Sequence, residues 1–244
     1  MKNIMEMPID MQNQAMGYDR AATMFSPDGH LLQVEYAEKA VRWGSASIGV
    51  ICSDGVLIVA HRRVKDTLIN EDSANKIYEV DEHIMAAAAG IMSDARVLIE
   101  DAQLIAQQNR VTYDSEINVE SIIKDIANAK QKFTQYGGAR PFGASVMIAG
   151  VSGGKPHLYL SDVTGNYFSY KAVAVGQNDE KIKEILRQEY KDNLTTTTAI
   201  KFALKVFKRI LEKDYNINNF DVAVVKTEDK KIKRMSVEEL KKHE

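Results

Sequence analysis

At 244 residues, with 45% hydrophobic and 27% charged side chains, the chain is long enough to bury a substantial core and has the make-up of a soluble globular protein. A formal net charge of −2 gives no drive toward nucleic acid or anionic membrane, and no apolar run reaches the roughly 20 residues that a spanning helix needs. The single cysteine, Cys52, excludes a disulfide framework and points to a reducing, cytoplasmic compartment.

Residues 1–17 are Met-rich and polar, without the hydrophobic core of a signal peptide. They are expected to form a mobile segment ahead of one domain over residues 18–244, since no Pro/Gly/Ser-rich linker and no repeat divides the rest. The block Tyr18-Asp19-Arg20, Phe25-Ser26-Pro27-Asp28-Gly29, Gln33-Val34-Glu35-Tyr36-Ala37 packs a polar lead-in, a turn and a helix start into about twenty residues. Pro27 presets φ for the second position of a turn that Gly29 closes. Asp28 is expected to offer its carboxylate to the free N–H groups of the helix that follows. Nothing in this block has the chemistry of an active site; it reads as a device that holds the residues before Tyr18 in a defined place.

Short apolar runs and amphipathic stretches then alternate. Ser47–Cys52 and Val56–Val59 are predicted to form a hairpin across Ser53-Asp54-Gly55, and Ile77–Val80 another with Ile84–Ala89 across Asp81-Glu82. Helical spacing follows at Ala95, Leu98, Ile99, Ala102, Ile105 and Ala106, and again at Val119, Ile122, Ile123, Ile126, Ala127 and Phe133. Ala144–Val151 pairs with His157–Leu160 across Gly153-Gly154, and Tyr167–Val175 is expected as a single strand. Two more helices carry Ile182, Ile185, Leu186 and Tyr190, then Ile200, Ala203, Leu204, Phe207 and Leu211. The hydroxyls of Thr195–Thr198 are expected to cap the second of these. Asp221–Val225 is expected as the last strand, Lys230–Arg234 as a solvated loop, and Ser236 as the start of a short helix with Glu239 at capping-box spacing.

The strands Val56–Ala60, Ser145–Ala149 and Val222–Val225 are apolar almost throughout, whereas a sheet wetted on one side would alternate with polar residues. Both faces must therefore be covered. The amphipathic helices can cover one face and a second sheet the other. The expected fold class is α+β, a four-layer αββα sandwich of two antiparallel sheets flanked by helices.

Other chemistries find no support. The five histidines show no metal-ligand spacing, and Gly137-Gly138 lacks the Lys-Ser/Thr that a phosphate loop needs, so no metal and no cofactor is expected. The run Lys230-Lys231-Ile232-Lys233-Arg234 has no aromatic residues around it for stacking on nucleic acid.

The block from Tyr18 to Ala37 closely resembles the N-terminal signature of proteasome α-type subunits. Family-like motifs continue in order: Gly44–Gly49, Lys76-Ile77, Ala89–Leu98, Thr134–Gly143, Tyr170–Gly176 and Asp221–Val224. The overall likeness is to the archaeal or bacterial type. The resemblance implies the sandwich fold of the N-terminal-nucleophile hydrolases. It also implies a seven-membered ring of α subunits stacked on catalytic β subunits, taking in unfolded proteins for degradation. Residues ahead of Tyr18 would gate the pore, with Tyr18, Asp19, Pro27 and Tyr36 as the cluster that stabilises the open gate. Lys76 would pair with the C-terminal carboxylate of an ATPase or other activator tail, and Gly90 would lie at the wall of that pocket.

Catalytic members of the superfamily attack with an N-terminal threonine whose own α-amine takes the proton. On alignment, Ser45 stands at the nucleophile position here and His61 where a carboxylate belongs, while Lys76 and Asp221 match retained partners. A free amine at Ser45 would require a cut after Gly44, which would remove the signature block. A non-catalytic subunit is therefore expected, with a Thr/Ser-nucleophile peptidase of the same fold as the alternative.

Overall fold

The computed structural model describes residues 8–63 and 68–243. Helix α1 (Ile9–Ala15) leads through a 3₁₀ turn at Tyr18–Arg20 to α2 (Leu32–Trp43). Strands β1 (Ser47–Cys52), β2 (Gly55–His61), β3 (Ile77–Asp81) and β4 (Ile84–Gly90) follow, then helices α3 (Met92–Tyr113) and α4 (Val119–Gln135). Four further strands, β5 (Ala144–Ser152), β6 (Lys155–Ser161), β7 (Tyr167–Ser169) and β8 (Ala172–Val175), precede α5 (Asp179–Glu189) and α6 (Thr196–Leu211). The chain closes with β9 (Phe220–Lys226), β10 (Ile232–Arg234) and α7 (Val237–Lys241). No helix among the described residues is long and apolar enough to cross a membrane.

The strands form two five-stranded sheets, ordered β10-β9-β2-β1-β8 and β3-β4-β5-β6-β7, and every pairing is antiparallel. Strand alternation explains why β2 carries no polar face. Leu57 and Val59 point to the layer under α5 and α6 with Leu204 and Phe207, while Val56, Ile58 and Ala60 point between the sheets at Met85, Met147 and Ala223. A third apolar layer joins the second sheet to α3 and α4 through Leu98, Ile122, Ile123 and Ile148. The four-layer expectation holds because each face of each sheet meets an apolar partner.

Three local expectations are corrected. Tyr167–Val175 is two strands in different sheets: β7 pairs with β6, whereas β8 pairs with β1. The crossing is made at two residues, where Tyr170 N–H donates to the Leu158 carbonyl and the Lys171 carbonyl accepts from Ile51 N–H. The polar Ser169 and Lys171 that interrupt this stretch do not by themselves show where the chain changes sheets. Lys230–Arg234 is not a free loop, since β10 adds to the edge of β9. Asp28 does not cap α2. Leu31 stands at the cap without a side-chain bond, and Asp28 Oδ2 instead accepts from Asn13 Nδ2 at 3.4 Å. The caps expected at Thr195 and Ser236 are present, both as reciprocal capping boxes.

One buried charge escaped the sequence reading. Lys130 on α4 is fully buried and donates to the carbonyls of Ser161 and Asp162 at 3.2 and 3.1 Å. Burial pushes its ammonium down to about 7, against the pull of the nearby Asp162 carboxylate. It ties α4 to the end of β6, the strand-end loop that the apolar pattern of α4 alone leaves unanchored.

Candidate functional site

Lys76 sits at the start of β3, and its backbone is fixed before its side chain is placed. Asp221 Oδ2, on β9, accepts from both Lys76 N–H and Ile77 N–H at 3.0 Å. Arg234 closes the same corner, reaching Asp221 Oδ1 at 3.5 Å and the Ile77 carbonyl at 2.6 Å. The Asp221 carboxylate is thus spent on backbone and guanidinium. Among the described residues the Lys76 ammonium finds neutral acceptors: the carbonyl of Ser45 at 3.0 Å and its hydroxyl at 2.6 Å. With 8% exposure, burial pushes Lys76 down to about 8, and the positive charge of Arg63 adds to the effect. Arg63 is itself held beside Lys76 by donating to Gln177 Oε1 at 2.7 Å.

Three glycines let backbone replace side chains around Ser45. A Cβ on Gly44 would lie 2.4 Å from Gly90 N, and one on Gly176 would lie 2.8 Å from the Ser45 carbonyl. Gly90 has φ of +118° and a Cβ there would lie 2.1 Å from the Gly143 carbonyl, so only glycine fits. The structure places Gly90 against Gly44, the residue before Ser45, and its missing side chain is required by the chain's own Gly143.

The loop that presses on Gly90 is secured by residues the sequence reading did not single out. Asp94 on α3 accepts from Arg140 Nη1 and Nη2 at 2.6 and 2.7 Å and from Gly143 N–H at 2.8 Å. The Arg140 hydrogen bonds hold its carboxyl below the ordinary 3.8, against the opposing effect of burial. Both residues lie in family-like motifs, Asp94 in Ala89–Leu98 and Arg140 in Thr134–Gly143. Their pairing across 46 positions has no local signal. Asp94→Ala strands the Gly143 N–H and is expected to cost about 1–3 kcal/mol, read as a lowered Tm. Because the folded carboxyl titrates below its unfolded value, this stability is complete above about pH 4 and is lost as pH falls through the folded value. In Asp94→Ala that acid limb should flatten.

Of the nucleophile-type constellation, the structure joins Ser45, Lys76 and Asp221 but supplies no free amine, since Ser45 continues from α2 through Gly44. His61 points elsewhere. Its ring lies 5.3 Å from that of Phe220, and burial chiefly lowers its pKa. No group of three His, Cys, Asp or Glu among the described residues is placed to hold a metal ion.

The gate-type residues gather around α2. Tyr36 Oη accepts from Gln14 Nε2 at 2.9 Å, which ties α1 to α2. Asp19 is held through its backbone carbonyl, which accepts from Gln33 Nε2 at 2.5 Å, rather than through its carboxylate. Tyr18 and Asp19 are half-buried in the 3₁₀ turn, and Pro27 is exposed in the turn that Gly29 N–H closes on the Ser26 carbonyl. The first seven residues of the expected 1–17 gate segment lie outside the described residues.

Comparison with known proteins matches the same two regions. Residues 41–225 match the family model for the proteasome subunit, and residues 18–40 match the model for the N-terminal signature of the A-type proteasome subunits. The chain is 46% identical over 226 residues to the proteasome alpha subunit of Archaeoglobus fulgidus, covering 93% of this chain and 92% of that one. It is 45% identical to the protein of that name from Pyrococcus abyssi, with 93% and 86% covered, and 42% identical to that of Methanocaldococcus jannaschii, with 92% and 86% covered. With the signature on α2 and the subunit domain spanning both sheets, the chain belongs to the proteasome subunit family, as one of its alpha-type members.

Proposed function

We propose that this subunit is non-catalytic and works in the cytoplasm as part of an outer seven-membered ring. That ring sits on catalytic β subunits, gates the passage of unfolded proteins with residues 1–17, and receives activator C-terminal tails at Lys76. The observation that carries this reading is the internal position of Ser45. Its α-nitrogen is an amide joined to Gly44, and the signature helix α2 precedes it directly. Freeing that amine would discard α1 and α2, and with them the bonds Gln14–Tyr36 and Gln33–Asp19.

The Lys76 ammonium supports the docking role. It is nearly buried, charged at neutral pH and without a carboxylate partner among the described residues, so a terminal carboxylate would supply a counter-ion. Tyr18, Asp19, Pro27 and Tyr36 are proposed as the open-gate cluster, with α1 as the element they hold.

The short contact between Ser45 Oγ and Lys76 Nζ favours one other reading, a serine-nucleophile peptidase of the same fold. Coexpression with a catalytic β subunit separates the two. A stacked-ring particle is expected in images. In that particle a covalent probe for N-terminal nucleophiles should label only the β subunit, and Ser45→Ala should leave unstimulated peptide hydrolysis unchanged. A labelled fragment beginning at Ser45 would favour the peptidase.

A further inference from the structure

The basic run at residues 230–234 is sorted by strand periodicity. Ile232 packs into the inter-sheet layer, and Arg234, two residues on, reaches Asp221 on the same side. Lys231 and Lys233 therefore point to the opposite face. There they line a cleft of about 320 Å³ between α6, the β9–β10 edge and α7. Lys226 and Lys242 line the same cleft, so four ammonium groups face two carboxylates, Asp229 and Glu239.

These charges are poorly matched. Lys233 approaches Glu239 only to 3.9 Å. The ammonium groups of Lys226 and Lys231 make no ion pair among the described residues, and Lys242 meets Glu239 only through a charge interaction beyond ion-pair distance. His243 Nδ1, at the same cleft, is buried and has no hydrogen-bond partner among them. The wall beneath is aliphatic, formed by the buried Ile200 and Val224 with Met235. No Phe, Tyr or Trp lines the cleft, so a nucleobase would have nothing to stack on. Converging cations over an aliphatic wall complement a molecule with an anionic head and a flexible apolar body.

We propose that the α6–β10–α7 cleft is a binding site for a small aliphatic carboxylate, whose head meets Lys231 and Lys242 and whose chain lies on Ile200 and Met235. The site is separate from the Lys76 pocket and does not depend on the docking role. Calorimetric titration of the full chain with octanoate tests it, with acetate and octanamide as the arms that lack the chain and the charge. Saturable octanoate binding is expected at about millimolar concentration or below. Octanamide should bind at least about tenfold more weakly, a difference of about 1.4 kcal/mol, and acetate should not saturate. The double variant Lys231→Gln with Lys242→Gln changes only exposed side chains and should lose a similar factor while keeping its Tm. Equal binding of octanoate and octanamide, equal binding of acetate, an unchanged double variant, or no saturation by octanoate would each overturn the proposal.

Discussion

Lys76→Ala is expected to abolish activator-stimulated degradation while the ring still assembles. The two halves of that result have separate causes. Docking loses the ammonium that faces Ser45, and breaking a buried interfacial charge pair costs about 2–5 kcal/mol. That corresponds to roughly 30-fold to several-thousand-fold in affinity. Folding loses much less. Holding Lys76 charged at neutral pH, when burial has moved it from 10.5 to about 8, already costs the folded chain about 3 kcal/mol. Removing the side chain relieves that cost and leaves the Ser45 carbonyl without its donor, a penalty of about 1–3 kcal/mol. The two nearly offset.

The same residue fixes a pH dependence. The folded protein binds fewer protons than the unfolded chain between about 8 and 10.5, so Lys76 makes stability rise with pH across that window. Docking runs the other way. A bound carboxylate needs the charged ammonium and raises its pKa, so affinity is flat below about pH 8 and falls about tenfold per pH unit above it. Tail-peptide affinity measured from about pH 6.5 to about pH 9.5 checks this, with Lys76→Ala as the flat control. If stimulation by activator persists unchanged in Lys76→Ala, the docking role is wrong.

The sheet core was legible in the sequence because its signal is redundant. In β2 and β5 nearly every position is apolar, and only a doubly covered sheet tolerates that. The helices were legible for a similar reason, since α4 and α6 keep one apolar face over four turns or more. What escaped depends on contacts between distant residues. The change of sheet at Tyr170-Lys171 is set by which strands β7 and β8 pair with, β6 and β1, and that pairing is not written in the residues between them. The Asp94–Arg140 pair and the burial of Lys130 are invisible until α3 and α4 are docked on the second sheet. The candidate site residues Lys76 and Gly90 came from the resemblance alone, and what the sequence could not show is that Asp221 serves the Lys76 backbone and not its charge. At Asp19 the hydrogen bond with Gln33 is made by the main chain, which no residue type in the motif could reveal.

Removal of residues 1–16 is expected to raise the basal hydrolysis of unstructured peptides by the assembled particle several-fold or more, without activator. The deletion takes away α1 and everything ahead of it, and leaves Tyr18, α2 and the Lys76 pocket in place. The cost to the fold itself is small. Ile9, Met11 and Met16 are exposed, and the side-chain hydrogen bonds Gln14 to Tyr36 and Asn13 to Asp28 join α1 to the rest. Each is worth about 0.5–1.5 kcal/mol, so the truncated chain should fold and assemble. The same figure bounds the point variant. Tyr36→Phe removes one acceptor and can shift an open–closed gate equilibrium by only about two- to twelvefold. If that bond steadies the open gate, Tyr36→Phe should lower the stimulated rate within this range, while the deletion raises the basal rate. Hydrolysis of a fluorogenic peptide by both particles, with and without activator, measures the two effects in one experiment. An unchanged basal rate in the deletion would mean that residues 1–16 do not obstruct the pore, and the open-gate role of Tyr36 would fall with it.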